Sequence, residues 1–265
     1  MKRIFILIML LFALSMVFSF ALECWAMVDD SIVLYFRFDE GKGDKVMDTS
    51  NYKNDGVING AKWADGKYGS ALVFDGINNY VEVKSSDSIQ LSNKGLTLAA
   101  WFRTTETARA DLMIIEKGAW DAGEYALSYP GYANKKVRFQ LFQIPGQKTA
   151  QIDSTSGVPE LSDDKWHYAA GIYDADNHVF KVYVDGKLEE EQGANAHIFT
   201  PDDQSLFVGT RNNQSLYFFG YIDELLVANV PFTSDQLKKH QEGNLMAVAP
   251  AGKLAIEWGK IRKMD

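Results

Sequence analysis

Between Lys165 and Leu188 the chain reads KWHYAAGIYDADNHVFKVYVDGKL. Two runs rich in aromatic and β-branched residues flank a polar loop, Asp174–His178. In the first run Trp166, Tyr168, Ala170 and Ile172 share one face; in the second Phe180, Val182 and Val184 do the same. Period-two alternation in adjacent runs predicts an antiparallel pair with those residues on its buried face. Asp185-Gly186 follows, a dipeptide suited to the positive φ of a tight hairpin turn. A third strand is therefore expected to start near Leu188.

The rest of the chain repeats this pattern. Alternation predicts a first strand over Ile32–Phe38, then a polar loop from Asp39 to Asn59 rich in Gly, Asp and Asn. Further strands are expected at Ala71–Phe74, Tyr80–Val83, Leu96–Arg103, Ile114–Lys117, Tyr125–Tyr129, Val137–Phe142, Ser205–Gly209 and Phe218–Val227. Within Leu96–Arg103, Leu96, Leu98, Ala100 and Phe102 face one way, Trp101 and Arg103 the other. Pro130, Pro145, Pro159, Pro201 and Pro231 fall between strands or at their margins, where no ladder donor is lost. One helix is signalled by a capping box, Thr233 with Gln236, a Phe232/Leu237 staple and Gly243 at its end. It is short, and is expected to plug one end of the molecule. Many short strands, regular turn signals and one late helix predict an all-β fold, a two-sheet antiparallel sandwich or jelly roll.

Lys2 and Arg3 precede the apolar run Ile4–Leu22, and Cys24-Trp25-Ala26 puts small residues at the −3 and −1 positions of a cleavage site. Residues 1–26 read as a secretory signal peptide. The expected location is secreted, extracellular or periplasmic; the alternative is a membrane anchor formed by residues 4–22. Residues 27–243 form the expected domain, and 244–265 a tail or an extra strand, with Leu254, Ile256 and Trp258 alternating. Cys24 is the only cysteine, so a chain cleaved after Ala26 cannot use disulfides. With net charge −8 and no basic run after the leader, nucleic acid is not an expected partner.

Several stretches together resemble the laminin G-like, concanavalin A-like family of jelly-roll domains. They are LYFRFDEGKGDKVMDTSNYKNDG (34–56), YGSALVFDGINNYVEV (68–83), LTLAAWFRT (96–104), the hairpin from residue 164, SLFVGT (205–210) and FGYIDELLVANVPFTSDQLKKH (219–240). They cover nearly all of residues 30–240 in the family's order. The resemblance implies a concanavalin A-like sandwich with one short C-terminal helix. It also implies a structural calcium ion where the first strand, the F-D-G turn and the G-Y-I-D-E segment approach one another. Asp39, Asp75 and Asp223 are its expected ligands, since calcium takes carboxylate and carbonyl oxygens. Asp48 and Asp55 are further candidates, better suited to turns.

The family hosts carbohydrate-binding, adhesion and structural modules, and a fold alone does not select among them. Sugar sites need aromatic planes for apolar faces and planar amides or guanidinium groups for hydroxyls. The candidate ligand-binding residues are Trp120, Tyr129, Arg103, Arg138, Arg211 and Asn212, with Trp101, Gln140 and Phe142 on neighbouring outward positions. A glycosidase on this fold would carry E-x-D-x-E or E-x-D-x-x-E on one strand, and neither occurs. His167, His178, His197 and His240 show no metal-protease spacing, and no serine sits in G-x-S-x-G. The expected function is an exported, non-catalytic binding module for carbohydrate. The alternatives are an adhesion or structural domain with an extracellular protein partner, and a glycoside hydrolase with an atypical site.

Overall fold

The computed structural model describes residues 29–90, 94–109, 111–118, 124–130, 135–142, 149–193, 203–212 and 215–245. The strands, in chain order, are β1 (Ile32–Phe36), β2 (Lys45–Val46), β3 (Gly56–Asn59), β4 (Lys62–Asp65), β5 (Ser70–Asp75), β6 (Tyr80–Val83) and β7 (Gly95–Arg103). Then come β8 (Met113–Lys117), β9 (Tyr125–Ser128), β10 (Lys136–Phe142), β11 (Thr149–Gly157) and β12 (His167–Asp174). The series ends with β13 (Val179–Val184), β14 (Lys187–Gly193), β15 (Leu206–Val208), β16 (Phe219–Ala228) and helix α1 (Ser234–Gln241).

They form two antiparallel sheets of eight strands. The first runs β14-β13-β12-β7-β16-β5-β4, with β1 also pairing β16; the second runs β11-β10-β9-β8-β15-β6-β3-β2. The fold is the expected two-sheet, jelly-roll-like sandwich with one short helix. The core lies between the sheets: Leu96, Leu98, Ala100 and Phe102 of β7 meet Val137, Phe139 and Leu141 of β10 within one apolar cluster. Gly171 makes the close approach possible, because a Cβ there would stand 2.3 Å from the Phe139 ring. The edges of the two sheets meet where Glu189 accepts from the Ser156 amide and hydroxyl, at 2.8 and 2.5 Å.

Four details differ from expectation. The loop after β1 contains two short strands, β2 and β3, because Gly56–Asn59 pairs with β6. The long polar strand β11 has too little apolar alternation to announce itself. The hairpin is present, but its faces are exchanged on β12: Ala169 and Tyr173 point into the core, while Tyr168 and Ile172 lie opposite Trp101 and Thr97 on the outer face. That outer face is buried all the same, because α1 lies over it instead of plugging an end. His240 of α1 is wholly buried, 5.3 Å from the Tyr35 ring and 5.6 Å from that of Tyr168, and its Nδ1 pairs with the Tyr168 hydroxyl at 2.8 Å. The predicted capping box at Thr233 and Gln236 is formed.

Candidate functional site

The outer face of the second sheet is polar where an outer face against solvent would be expected, yet most of it is buried. Alternation sets this up: Val137, Phe139 and Leu141 enter the core, so Arg138, Gln140 and Phe142 turn outward. Strand register then arranges two rows. One runs Asp153, Arg138, Ser128, Met113; the other Gln151, Gln140, Ala126, Glu116, Phe207, Glu82. Ala126 and Ser128 on β9 are the small members, a dip between the long side chains of β10 and β8 that is covered over: both are fully buried, and Leu216 packs against Met113, Ala126 and Phe142.

Arg138 is 6% exposed and grips Asp153 with two bonds, Nε to Oδ1 at 2.6 Å and Nη2 to Oδ2 at 2.9 Å. Across the dip, Arg211 Nε donates to both oxygens of Glu116 at 3.0 and 3.2 Å, and its Nη1 lies 3.5 Å from Asp111 Oδ2. Glu116 is fully buried. Burial pushes its carboxyl up to about 7; the Arg211 guanidinium pulls it down, and Asp111 adds to the rise. Three buried polar atoms around the dip have no hydrogen-bond partner among the described residues: Ser128 Oγ, Gln140 Oε1 and Asp111 Oδ1. Buried polar atoms are nearly always bonded, so these call for a water or a ligand group. The rim also holds three non-glycine residues with positive φ: Asp111 (63°), Asn212 (45°) and Leu216 (56°). Such backbone is costly for leucine, and strain of this kind concentrates around binding and catalytic sites.

Of the residues expected to bind ligand, Arg138, Arg211 and Asn212 come together here. Arg103 does not. It lies on the outer face of the first sheet, over the Tyr221 ring at 4.1 Å and beside Asp164 at 3.3 Å. Tyr129 is wholly buried between the sheets, its ring 4.8 Å from that of Phe102 and its hydroxyl paired with Ser162 at 2.9 Å, so it offers no platform. Trp120 lies outside the described residues, as do Tyr132 and Asn213. Glu116, Ser128 and Asp111 escaped the sequence reading, although a charged residue at an outward position of an apolar strand was a visible signal.

The three expected calcium ligands do not converge. Asp39 and Asp223 flank the same loop: a Cβ on Gly69 would meet Asp39, and one on Gly66 would meet Asp223. Asp75 stands at the other end of β5. Since Ile222 pairs with Leu72, Asp223 lies level with Ala71, four residues or about 13 Å from Asp75. Each carboxylate is also occupied by donors. Asp39 pairs with Arg37 at 3.0 Å. Asp75 Oδ1 accepts from the amides of Ile77, Asn78 and Asn79, and Asp223 from those of Lys67, Tyr68 and Glu224. A set bonded to N–H groups does not fit a cation that needs free oxygens. Asp48 and Asp55 serve turns: Asp48 binds the amides of Tyr35, Ser50 and Asn54, and Asp55 binds that of Asp48. Among the described residues no group of three acidic, His or Cys side chains is placed to hold a metal. Burial pushes both Asp223 and its neighbour Glu224 up to about 7, Asp223 against the pull of its backbone bonds and Glu224 against that of Tyr35 and Arg37.

Comparison with known proteins agrees with this architecture. The sequence profile described as the concanavalin A-like lectin/glucanases superfamily matches residues 75–238. Domain 4 of AbnA, an extracellular arabinanase from Geobacillus stearothermophilus solved with arabinotriose, is 21% identical with a TM-score of 0.63; the match covers 79% of this chain and 98% of that domain. The binding domain of Paraclostridial Mosquitocidal Protein 1 is 14% identical with a TM-score of 0.62, over 81% of this chain and 53% of that one. The botulinum neurotoxin serotype D binding domain is 14% identical with a TM-score of 0.61, over 82% and 52%. The chain thus spans about half the length of the toxin domains it resembles, and identities this low speak for the fold alone. No curated protein matches the sequence.

Proposed function

The chain belongs to the concanavalin A-like lectin/glucanases superfamily, and from that membership we propose that it is an exported, non-catalytic module that binds carbohydrate on the outer face of its second sheet. The observation that carries this reading is the set of three buried, unpartnered polar atoms, Ser128 Oγ, Gln140 Oε1 and Asp111 Oδ1, beside the small residues of β9. A sugar hydroxyl both donates and accepts, so it suits a hydroxyl, an amide carbonyl and a carboxylate oxygen together. Arg138 and Arg211 are held rigid by Asp153 and by Glu116, so little side-chain freedom is lost when hydroxyls reach them. Domain 4 of AbnA, solved with arabinotriose, lends the reading support by analogy of fold.

The non-catalytic part rests on the carboxylates. Two of the buried acids beside the dip, Glu116 and Asp111, both turn to the one guanidinium of Arg211, and a third, Glu124, lies 3.4 Å from the Lys117 ammonium. A retaining glycosidase instead sets two carboxyl groups about 5 Å apart across the bond to be cut, one of them free to act as nucleophile. Calcium has no part in this reading, because its expected ligands are bonded elsewhere. Export rests on residues 1–26 acting as a cleaved leader.

A glycan array tests the proposal. The mature protein is expected to bind at least one neutral oligosaccharide, with signal lost in Arg138→Ala and Gln140→Ala. A blank array with a folded protein, or signal unaffected by both substitutions, would reject it.

A further inference from the structure

The opposite outer face holds a second feature. Over β7, the Asp185–Gly186 turn, residues Lys67 and Tyr68, and α1 line an open pocket of about 540 Å³. Sites for small molecules run from roughly 300 to 1,000 Å³. The inner wall is aromatic and apolar, formed by Trp101, Tyr183 and Leu237, which are 6%, 8% and 2% exposed. It is also rigid. Trp101 Nε1 donates to the Gln241 carbonyl at 3.1 Å, and the Tyr168 ring packs 5.4 Å from the indole. The Tyr68 hydroxyl donates to that same carbonyl at 2.9 Å.

The charged part of the lining carries both signs: Lys67 and Lys238 against Asp185, Asp235 and Glu242. Asp185 is met from below by His167, whose Nδ1 lies 2.9 Å from its Oδ2 and whose Nε2 lies 3.1 Å from Asp163, itself paired with Lys165. That leaves two cations facing two anions, so a ligand of either net charge meets its like. A neutral ligand with an apolar face and a ring of hydroxyls meets none. Its C–H face suits an indole, and its hydroxyls can donate to the carboxylates and accept from the ammonium groups.

We propose that this cavity is a second carbohydrate site, taking one neutral sugar ring stacked on Trp101. Lys67 is its gate. The ammonium lies 4.1 Å from the Trp101 ring centroid, over the face a sugar would use, so stacking requires Lys67 to swing aside toward the carboxylates. The site is on the other sheet from the groove and stands or falls independently of it. If both bind, the sandwich holds glycan on two opposite faces, and a polymer-bound copy gains from simultaneous engagement.

The test uses the full chain labelled with nitrogen-15, following the Trp101 indole N–H signal, which is identified by its loss in Trp101→Phe. The probes are the neutral methyl glycosides of glucose, galactose, xylose and arabinose, with glucuronate and glucosamine as charged controls. At least one neutral glycoside is expected to move the signal saturably, with a millimolar Kd at about 4 kcal/mol of binding. Lys67→Ala removes a cation–π contact that the sugar must displace, so affinity should rise about two- to fivefold. Ser234→Trp, which fills the rim, should abolish the shift, and Arg138→Ala in the groove should leave it unchanged. The proposal is overturned if no neutral glycoside moves the signal at about 50 mM, well above a millimolar Kd. It is equally overturned if only a charged control does so, or if Lys67→Ala eliminates binding.

Discussion

Replacing Arg211 by Ala should destabilise the protein more at pH 8 than at pH 5. Arg211 is the cation beside Glu116, which is fully buried and receives Arg211 Nε at 3.0 and 3.2 Å. The Glu116 carboxyl titrates at about 7 in the fold against 4.5 ordinarily. Because the folded value is the higher one, its favourable contribution is complete below about pH 4.5 and is lost as pH rises through about 7. At about 1.4 kcal/mol per pKa unit, the ionised form already costs the fold about 3 kcal/mol above pH 7. Deleting the guanidinium pushes the carboxyl higher still. At pH 8 the variant must hold a proton that the parent has released, which adds about 1.4 kcal/mol per pH unit above 7, for a total loss of about 2–3 kcal/mol. At pH 5 Glu116 is protonated, and what disappears is its hydrogen bonds and the Asp111 contact, about 1–2 kcal/mol. Urea unfolding at both pH values reads the difference directly. In a Glu116→Gln background the Arg211→Ala penalty should shrink and lose most of its pH dependence. Equal penalties at pH 5 and pH 8, or an unchanged penalty in that background, would refute the buried-pair argument.

Gly171→Ala should cost about 1–3 kcal/mol by forcing a methyl against the Phe139 ring, and Phe139→Leu should recover part of it; a neutral result in urea unfolding would mean the sheets separate freely. Thr233→Ala removes the acceptor for the Gln236 amide and should cost about 1 kcal/mol, with a drop of less than about 0.3 kcal/mol showing that α1 does not need its cap. Treating the protein with a chelator should leave Tm unmoved, because Asp223 is held by the amides of Lys67, Tyr68 and Glu224; a clear fall in Tm would put an ion back among the acidic residues.

Much of the fold was legible because its signals are local. The alternation of β7, the Asp185-Gly186 turn and the capping box of α1 each depend on a few neighbouring residues, and each is present. The site was less legible because it depends on register between distant strands. Alternation tells inside from outside on one strand, yet not which sheet the strand joins, so Arg103 and Arg138 looked like partners and lie on opposite faces. The face of Tyr168 misled for another reason: it is apolar because α1 covers it, although it is the outer face of the sheet. Asp75 and Asp223 both border β-turn or bulge signals, and only the pairing of β5 with β16 shows that they sit about four residues apart along the ladder. Glu116 needed Arg211, some ninety residues later, before its burial made sense.

The most direct measurement is a methyl NMR titration of the mature protein with a neutral oligosaccharide that it binds on the array. Met113 and Ala126 lie in the dip beside Ser128 and Glu116, on strands β8 and β9. Their methyl signals should shift saturably, with the same Kd as the array ligand shows in solution, and should stop responding in Arg138→Ala. Binding that leaves both methyl groups untouched would contradict the assignment of the groove.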